Sequence, residues 1–150
     1  LLLQPGKGYA FESKRISNIS IPSILVEAKT AVTPMHEFTR FAGTMEISGF
    51  NNKLNDNRIQ SIAAAVEQFY PDITITQEEK ATAKYGYRPL SPDGMPYIGK
   101  PNNFKNLTIA TGHAMIGWTL GPGTGKIVSE LILNQKPSVD LSPYHPNRKF

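Results

Sequence analysis

Thr111-Gly112-His113-Ala114-Met115-Ile116-Gly117-Trp118-Thr119-Leu120-Gly121-Pro122-Gly123-Thr124-Gly125-Lys126 is the stretch around which the rest of the chain organises. A short apolar strand over residues 107–110 leads into it. Beyond it, Ile127, Val128, Leu131 and Ile132 recur at helical spacing and stop before Pro137. A strand, a glycine-rich turn and a helix start together present free backbone N–H groups and a positive dipole end, which suits an anion or a partly negative carbonyl. Two phosphate motifs fail here. Leu120 stands where a phosphate loop ending in Gly125-Lys126 needs its first glycine, and Ile127 where Ser or Thr would hold magnesium. The last glycine of Gly121, Gly123 and Gly125 comes one place too early for a dinucleotide fingerprint. A tight strand-to-helix turn without a ligand is the plain alternative.

Upstream, residues 83–88 read as a strand, Pro89-Leu90-Ser91-Pro92-Asp93-Gly94 as turns, and residues 96–98 as a further short strand. Arg88 closes its strand. An arginine fork can grip a carboxylate bidentately, although a surface arginine or a structural ion pair is the commoner use. Asp93 before Gly94 reads as a turn residue, His113 as structural, and Tyr85, Tyr87 and Trp118 as core or pocket-wall aromatics. Ile59, Ile62, Ala63, Val66, Phe69 and Tyr70 form one helical stripe, capped by Asp56 or Asn57 and ended by Pro71. The first third reads as strands. Tyr9 and Phe11 alternate with smaller or polar neighbours, and Ile24-Leu25-Val26 is a short apolar run. Phe41, Gly43, Met45 and Ile47 share one face, with Arg40, Ala42, Thr44 and Glu46 on the other. Turn signals at Pro5-Gly6, Ile21-Pro22 and Thr33-Pro34 leave connections too short for parallel crossovers, so the sheet is expected to be antiparallel.

Composition narrows the function. With 39% apolar residues, the 150-residue chain can build a core. The net charge is +4, but the basic residues form no run of five, which argues against nucleic acid as a partner. The chain has no cysteine, which excludes disulfides, thiolate metal sites, a cysteine nucleophile and a flavin attached through cysteine. A reducing cytoplasm suits such a chain. No His/Asp/Glu set has metal-ligand spacing, and no run approaches the length of a membrane span. The opening Leu1-Leu2-Leu3-Gln4-Pro5, without an initiator Met, reads as the middle of a longer protein.

Four blocks in order resemble one superfamily. Tyr85-Gly86-Tyr87-Arg88-Pro89-Leu90-Ser91-Pro92-Asp93-Gly94-Met95-Pro96-Tyr97-Ile98-Gly99 is similar to a block of the FAD-dependent group that contains D-amino-acid dehydrogenase, glycine oxidase and sarcosine oxidase. Asn106-Leu107 through Thr111-Gly112-His113 to Gly117-Trp118 resembles that group's second C-terminal signature. Pro5-Gly6-Lys7-Gly8-Tyr9 and Arg40-Phe41-Ala42-Gly43-Thr44-Met45-Glu46 resemble the dehydrogenase branch in particular.

The resemblance implies an α+β chain in two portions. Residues 1–84 would form an antiparallel substrate-domain sheet with one packed helix. Residues 85–150 would supply short strands and the closing C-terminal helix of a flavin-binding domain. It implies FAD as cofactor and Arg88 as the partner of the substrate carboxylate. It also implies that Gly112, His113, Met115, Ile116, Gly117, Trp118 and Thr119 lie against the flavin pyrimidine ring, where the helix that follows favours the negative charge arising there. No protein acid or base is required, because the cofactor carries the chemistry. The whole enzyme would oxidise a D-amino acid or related amine by hydride transfer. A quinone or carrier would serve as its acceptor, and the enzyme would associate peripherally with the inner face of a membrane. Met115 stands where glycine oxidase has an additional polar or charged residue, which weakens a glycine or sarcosine assignment. The N-terminal FAD-binding strand–turn–helix of the family is not among these residues, so the chain alone is expected to be a poor catalyst. That missing part is its expected partner, and faces left uncovered favour self-association. The alternatives are a glycine- or sarcosine-type amine oxidase and a non-catalytic subunit that retains the fold.

Overall fold

A computed structural model describes residues 1–14, 16 and 18–150. It has two compact units, Lys7–Tyr87 and, from two stretches of chain, Leu1–Gly6 with Arg88–Phe150. The class is α+β. Strands β1 (Gln4–Lys14) and β5 (Lys84–Leu90) carry the chain through the two junctions.

In the unit Lys7–Tyr87, β2 (Ser23–Leu25), β3 (Thr30–Pro34) and β4 (Phe38–Glu46) join β1 and β5 in a five-stranded sheet ordered β2-β3-β4-β1-β5. The β1–β4, β2–β3 and β3–β4 pairs are antiparallel. Register places Phe11 opposite Phe41 and Phe41 opposite Val32, so three strands contribute one apolar row. Helix α1 (Asp56–Phe69) lays Ile59, Ile62, Ala63 and Val66 on this face, and Ile73 and Ile75 complete the core. The other face carries Glu12 opposite Arg40, Arg40 opposite Thr33, and the row Ala10, Ala42, Ala31. Thr33-Pro34, expected at a turn, ends β3 instead; the chain reverses just beyond it, where Met35 N–H donates to the Phe38 carbonyl at 2.8 Å. Of the run Ile24-Leu25-Val26 only Leu25 is buried, because a three-residue edge strand covers the core with one side chain.

The alternation expected through β4 holds only to Gly43. Lys7 pairs with Glu46 but Tyr9 with Gly43, so three residues of β4 span two of β1. This is a bulge, and Thr44 takes a φ of 54°, an uncommon choice for a β-branched residue. The extra residue turns Glu46 toward the helix side, where its carboxylate accepts from Asn55 Nδ2 at 3.1 Å and lies 3.7 Å from Arg58 Nε. Hence neither Asp56 nor Asn57 is the cap of α1. Asn55 occupies that position with no side-chain cap bond, its amide being spent on Glu46. A short helix, α2 (Gln77–Ala81), follows a capping box of Thr76 and Glu79. Five residues with none buried leave no apolar stripe from which it could be foreseen.

In the other unit, β6 (Tyr97–Gly99) and β7 (Ile109–Thr111) form an antiparallel hairpin, with Tyr97 opposite Thr111. Helix α3 (Gly117–Ile132) follows, and a 3₁₀ turn (Ser142–Tyr144) lies in the tail. Most of the stretch expected as a glycine-rich turn is therefore helix. Propensity opposes this: each glycine costs about 1 kcal/mol relative to alanine, and Pro122 removes the bond to the Trp118 carbonyl. Two bonds tie the helix to its surroundings. His113 Nε2 meets Thr124 Oγ1 at 3.0 Å, and the buried Glu130 accepts from Ser138 N–H at 2.8 Å.

Candidate substrate and flavin site

Arg88 lies half-buried on β5, next to Pro89. No Asp or Glu among the described residues forms an ion pair with it. Two residues on, Leu90 makes an isolated antiparallel bridge with His113. The strand that bears the arginine fork thus touches the start of the glycine-rich stretch within one compact unit.

From His113 the chain turns sharply. Gly112 has a φ of 81°, which costs a glycine nothing, and a Cβ there would come within 3.3 Å of the Tyr97 ring. The His113 carbonyl accepts Ile116 N–H at 3.1 Å, and α3 begins at Gly117 with no side-chain cap. Its first N–H groups have no intrahelical acceptors, as at any helix start. Beside them, Trp118 is 96% exposed and Met115 69%, with Ile116 also exposed. Trp118 is therefore no core residue in this structure. The His113 imidazole points away, to Thr124 in the helix, and burial pushes its pKa below the ordinary histidine value. Its bond to Thr124 makes it a brace rather than a free base. Of the residues proposed to face flavin, Gly117, Trp118 and Thr119 form the first helical turn, and Gly112, His113, Met115 and Ile116 form the approach to it.

Asp93 does more than shape a turn. Its carboxylate accepts from Met95 N–H at 3.0 Å and pairs with Arg148, through Nε at 3.0 Å and an Nη at 2.9 Å. The Arg148 bonds hold its pKa down, to about 2. Because the folded value is depressed, the stabilisation is complete well above the usual carboxylate pKa and is lost as pH falls from about 4 toward about 2. Asp93→Asn should therefore unfold more easily than wild type at pH 7. The gap in thermal midpoint should close as pH drops through that window; a gap that persists to pH 2 would assign it to something other than the carboxylate charge.

Sequence reading missed both Arg148 and Lys7. Lys7, in the Pro5–Tyr9 block, is fully buried. Its ammonium donates to the Asn51 carbonyl at 3.1 Å, to Asn51 Oδ1 at 2.8 Å and to the Lys53 carbonyl, and it lies 4.3 Å from the centre of the Tyr85 ring. Tyr87 completes the hold on this loop: its hydroxyl donates to the Asn51 carbonyl and accepts Asn51 N–H at 2.8 Å. Nearby, burial and then the Glu46 carboxylate push the Tyr9 phenol up to about 12, so it stays un-ionised. No local pattern marks such a lysine, since its acceptors stand more than forty residues away.

The chain is similar to several known proteins. The family model described as FAD dependent oxidoreductase matches residues 1–131. A D-amino acid dehydrogenase of Bradyrhizobium diazoefficiens is 36% identical over 148 residues, covering 95% of this chain and 34% of that protein. One from Granulibacter bethesdensis is 31% identical over 141 residues, covering 92% of this chain and 33% of that protein. The chain thus spans about a third of the length of these curated relatives. Among solved structures, glycine oxidase from Geobacillus kaustophilus superposes on 100% of this chain and 41% of its own, with a TM-score of 0.83 at 20% identity. L-proline dehydrogenase from P. horikoshii covers 98% of this chain and 40% of its own, with a TM-score of 0.81 at 20% identity. At such identity these two establish the fold alone. The matched span, most of the chain, establishes more: the chain belongs to the FAD dependent oxidoreductase family.

Proposed function

We propose that this chain supplies the substrate-binding sheet, residues 1–84, and the flavin-facing closing portion, residues 85–150, of an enzyme that oxidises a D-amino acid to its imine. Water then hydrolyses the imine to a 2-oxo acid and ammonia. The Leu90–His113 bridge carries this reading, because it joins the strand of a half-buried arginine without an ion-pair partner to an uncapped helix start flanked by exposed apolar side chains. The choice of D-amino acids follows the names of the relatives from Bradyrhizobium and Granulibacter.

The residues present fit a flavin. Free N–H groups at the start of α3 suit a ring carbonyl, and Met115, Ile116 and Trp118 suit an apolar ring. When bound, FAD supplies the hydride acceptor. The chain's own residues do the rest. Arg88 orients the substrate through its carboxylate, and residues 112–119 offer backbone donors where negative charge develops. Ile132 and Leu133 expose further apolar side chains at the end of α3, which the remaining two thirds of the enzyme would cover.

A Cβ at Gly117 would sit 3.2 Å from His113 Cβ, so a branched side chain there must displace the His113 approach. Gly117→Val should lose most of its flavin absorbance per protein while keeping its far-ultraviolet circular dichroism. Full flavin occupancy in that variant would remove residues 112–119 from the cofactor site.

The function itself is tested by following flavin absorbance anaerobically in the complete enzyme during addition of D-amino acids, glycine and sarcosine. Bleaching by D-amino acids is expected. Bleaching by glycine or sarcosine alone, with hydrogen peroxide formed in air, would move the enzyme to the oxidase branch, and no bleaching at all would overturn the reading.

A further inference from the structure

We propose that Arg148 is a positioning residue for this reaction: from the C-terminal tail it holds the turn at Asp93–Pro96, and so sets the spacing between Arg88 and the segment from Gly112 to Thr119. The proposal rests on the roles given to Arg88 and that segment above. Residue 148 lies beyond the span matched by the family model.

Four of the five guanidinium N–H donors go to one short piece of chain. Nε and one Nη chelate the Asp93 carboxylate, the same Nη donates to the Met95 carbonyl at 2.7 Å, and the other donates to the Pro96 carbonyl at 3.2 Å. Its Cζ lies 3.9 Å from the centre of the Tyr97 ring, and its side chain is only 9% exposed. The contacts therefore cover every residue from 93 to 97 that links the two functional segments, Gly94 excepted.

Two routes lead outward from this clamp. On one, Ser91 Oγ donates to the Met95 carbonyl at 2.7 Å, and the neighbouring Leu90 bridges to His113, two residues from Arg88. On the other, the buried Tyr97 ring is the surface on which Gly112 rests, and the Tyr97 hydroxyl is fixed to the Leu2 carbonyl at 3.1 Å. Removing the fork leaves the turn held only by its own local bonds, from Ser91 Oγ to the Met95 carbonyl and from Met95 N–H to Asp93. The tail has separate anchors: Asn102 N–H donates to Asn147 Oδ1 at 2.8 Å, and a Cβ on Gly99 would come within 2.9 Å of Pro146 Cδ. A variant of Arg148 can thus lose the clamp while the tail stays docked. Lysine cannot replace it, because an ammonium lacks the planar fork that serves a carboxylate and two carbonyls at once.

Arg148→Lys and Asp93→Asn, each made in the complete flavoprotein, test this by separating binding from chemistry. A misplacement on the order of 1 Å can slow a reaction by about a hundredfold. The limiting rate of flavin reduction per bound flavin should fall at least about tenfold in both variants, while the substrate dissociation constant changes by less than about threefold, because Arg88 itself is intact. Arg88→Lys should show the opposite emphasis, with weakened substrate binding. If Arg88→Lys weakens binding but both clamp variants reduce flavin at the wild-type rate, Arg148 is a fold residue only and the proposal falls, whatever happens to the melting temperature. If Arg88→Lys also binds substrate normally, the Arg88 assignment falls and takes this one with it.

Discussion

Arg88→Lys, made in the complete enzyme, should weaken substrate binding or turnover at least about tenfold with flavin content unchanged. Lysine keeps the charge but loses the planar pair of donors that meets both oxygens of a carboxylate. Loss of a desolvated charge partner costs about 2–5 kcal/mol, and tenfold corresponds to about 1.4 kcal/mol, so the expectation is at the cautious end. Arg88 lies on β5 ahead of a proline, half-buried and without an acidic partner among the described residues, so its guanidinium has no structural ion pair to lose. The effect should therefore appear in kinetics and leave the folding transition nearly unmoved. Stopped-flow flavin reduction at several substrate concentrations reads it directly. Unaltered kinetics would take Arg88 out of the substrate site.

The second large effect concerns stability. Lys7→Met should destabilise the unit Lys7–Tyr87 by about 3 kcal/mol, since it removes the donor from three acceptors and the cation from the Tyr85 ring. Methionine fills much of the same volume, so little of the cost is a cavity. It comes from three acceptors that lose a charged donor beside a residue that is 0% exposed, the Lys53 carbonyl above all, since the Asn51 carbonyl keeps the Tyr87 hydroxyl and Asn51 Oδ1 keeps the Lys53 N–H. Denaturant unfolding followed by circular dichroism measures it, and limited proteolysis should show earlier cleavage near Asn51–Lys53. A change below about 0.5 kcal/mol, the size of an ordinary surface substitution, would mean that water serves those acceptors equally well.

Helix α1 was legible because its stripe of Ile59, Ile62, Ala63 and Val66 is a local repeat, and the core face of β1 was legible for the same reason. The start of α3 was not. Glycine and proline at residues 121–125 argue locally for a turn, and the His113–Thr124 bond that helps hold the helix joins side chains eleven residues apart. Glu46 was placed on the wrong face for a related reason. One inserted residue at Thr44 reverses the alternation, and period-two reading has no means of seeing an insertion before the partner strand is known. Within the candidate site, Arg88 and residues 112–119 stood out through motifs in order, whereas Arg148 had no motif and no neighbour to betray it.

The sequence alone thus determined the α+β class, the antiparallel strands, the first helix and the four blocks that mark the family, all of which depend on residues close together along the chain. Only the tertiary structure decided that Lys7 is a buried strut, that Asp93 is the counter-ion of an arginine 55 residues away, that Glu46 faces the helix, and that Leu90 brings the strand of Arg88 against His113. The division has one physical cause. Apolar periodicity is imposed by the geometry of a single element, but a buried charge or polar group takes whichever partner the completed fold brings within hydrogen-bond reach, and that partner can lie anywhere in the chain.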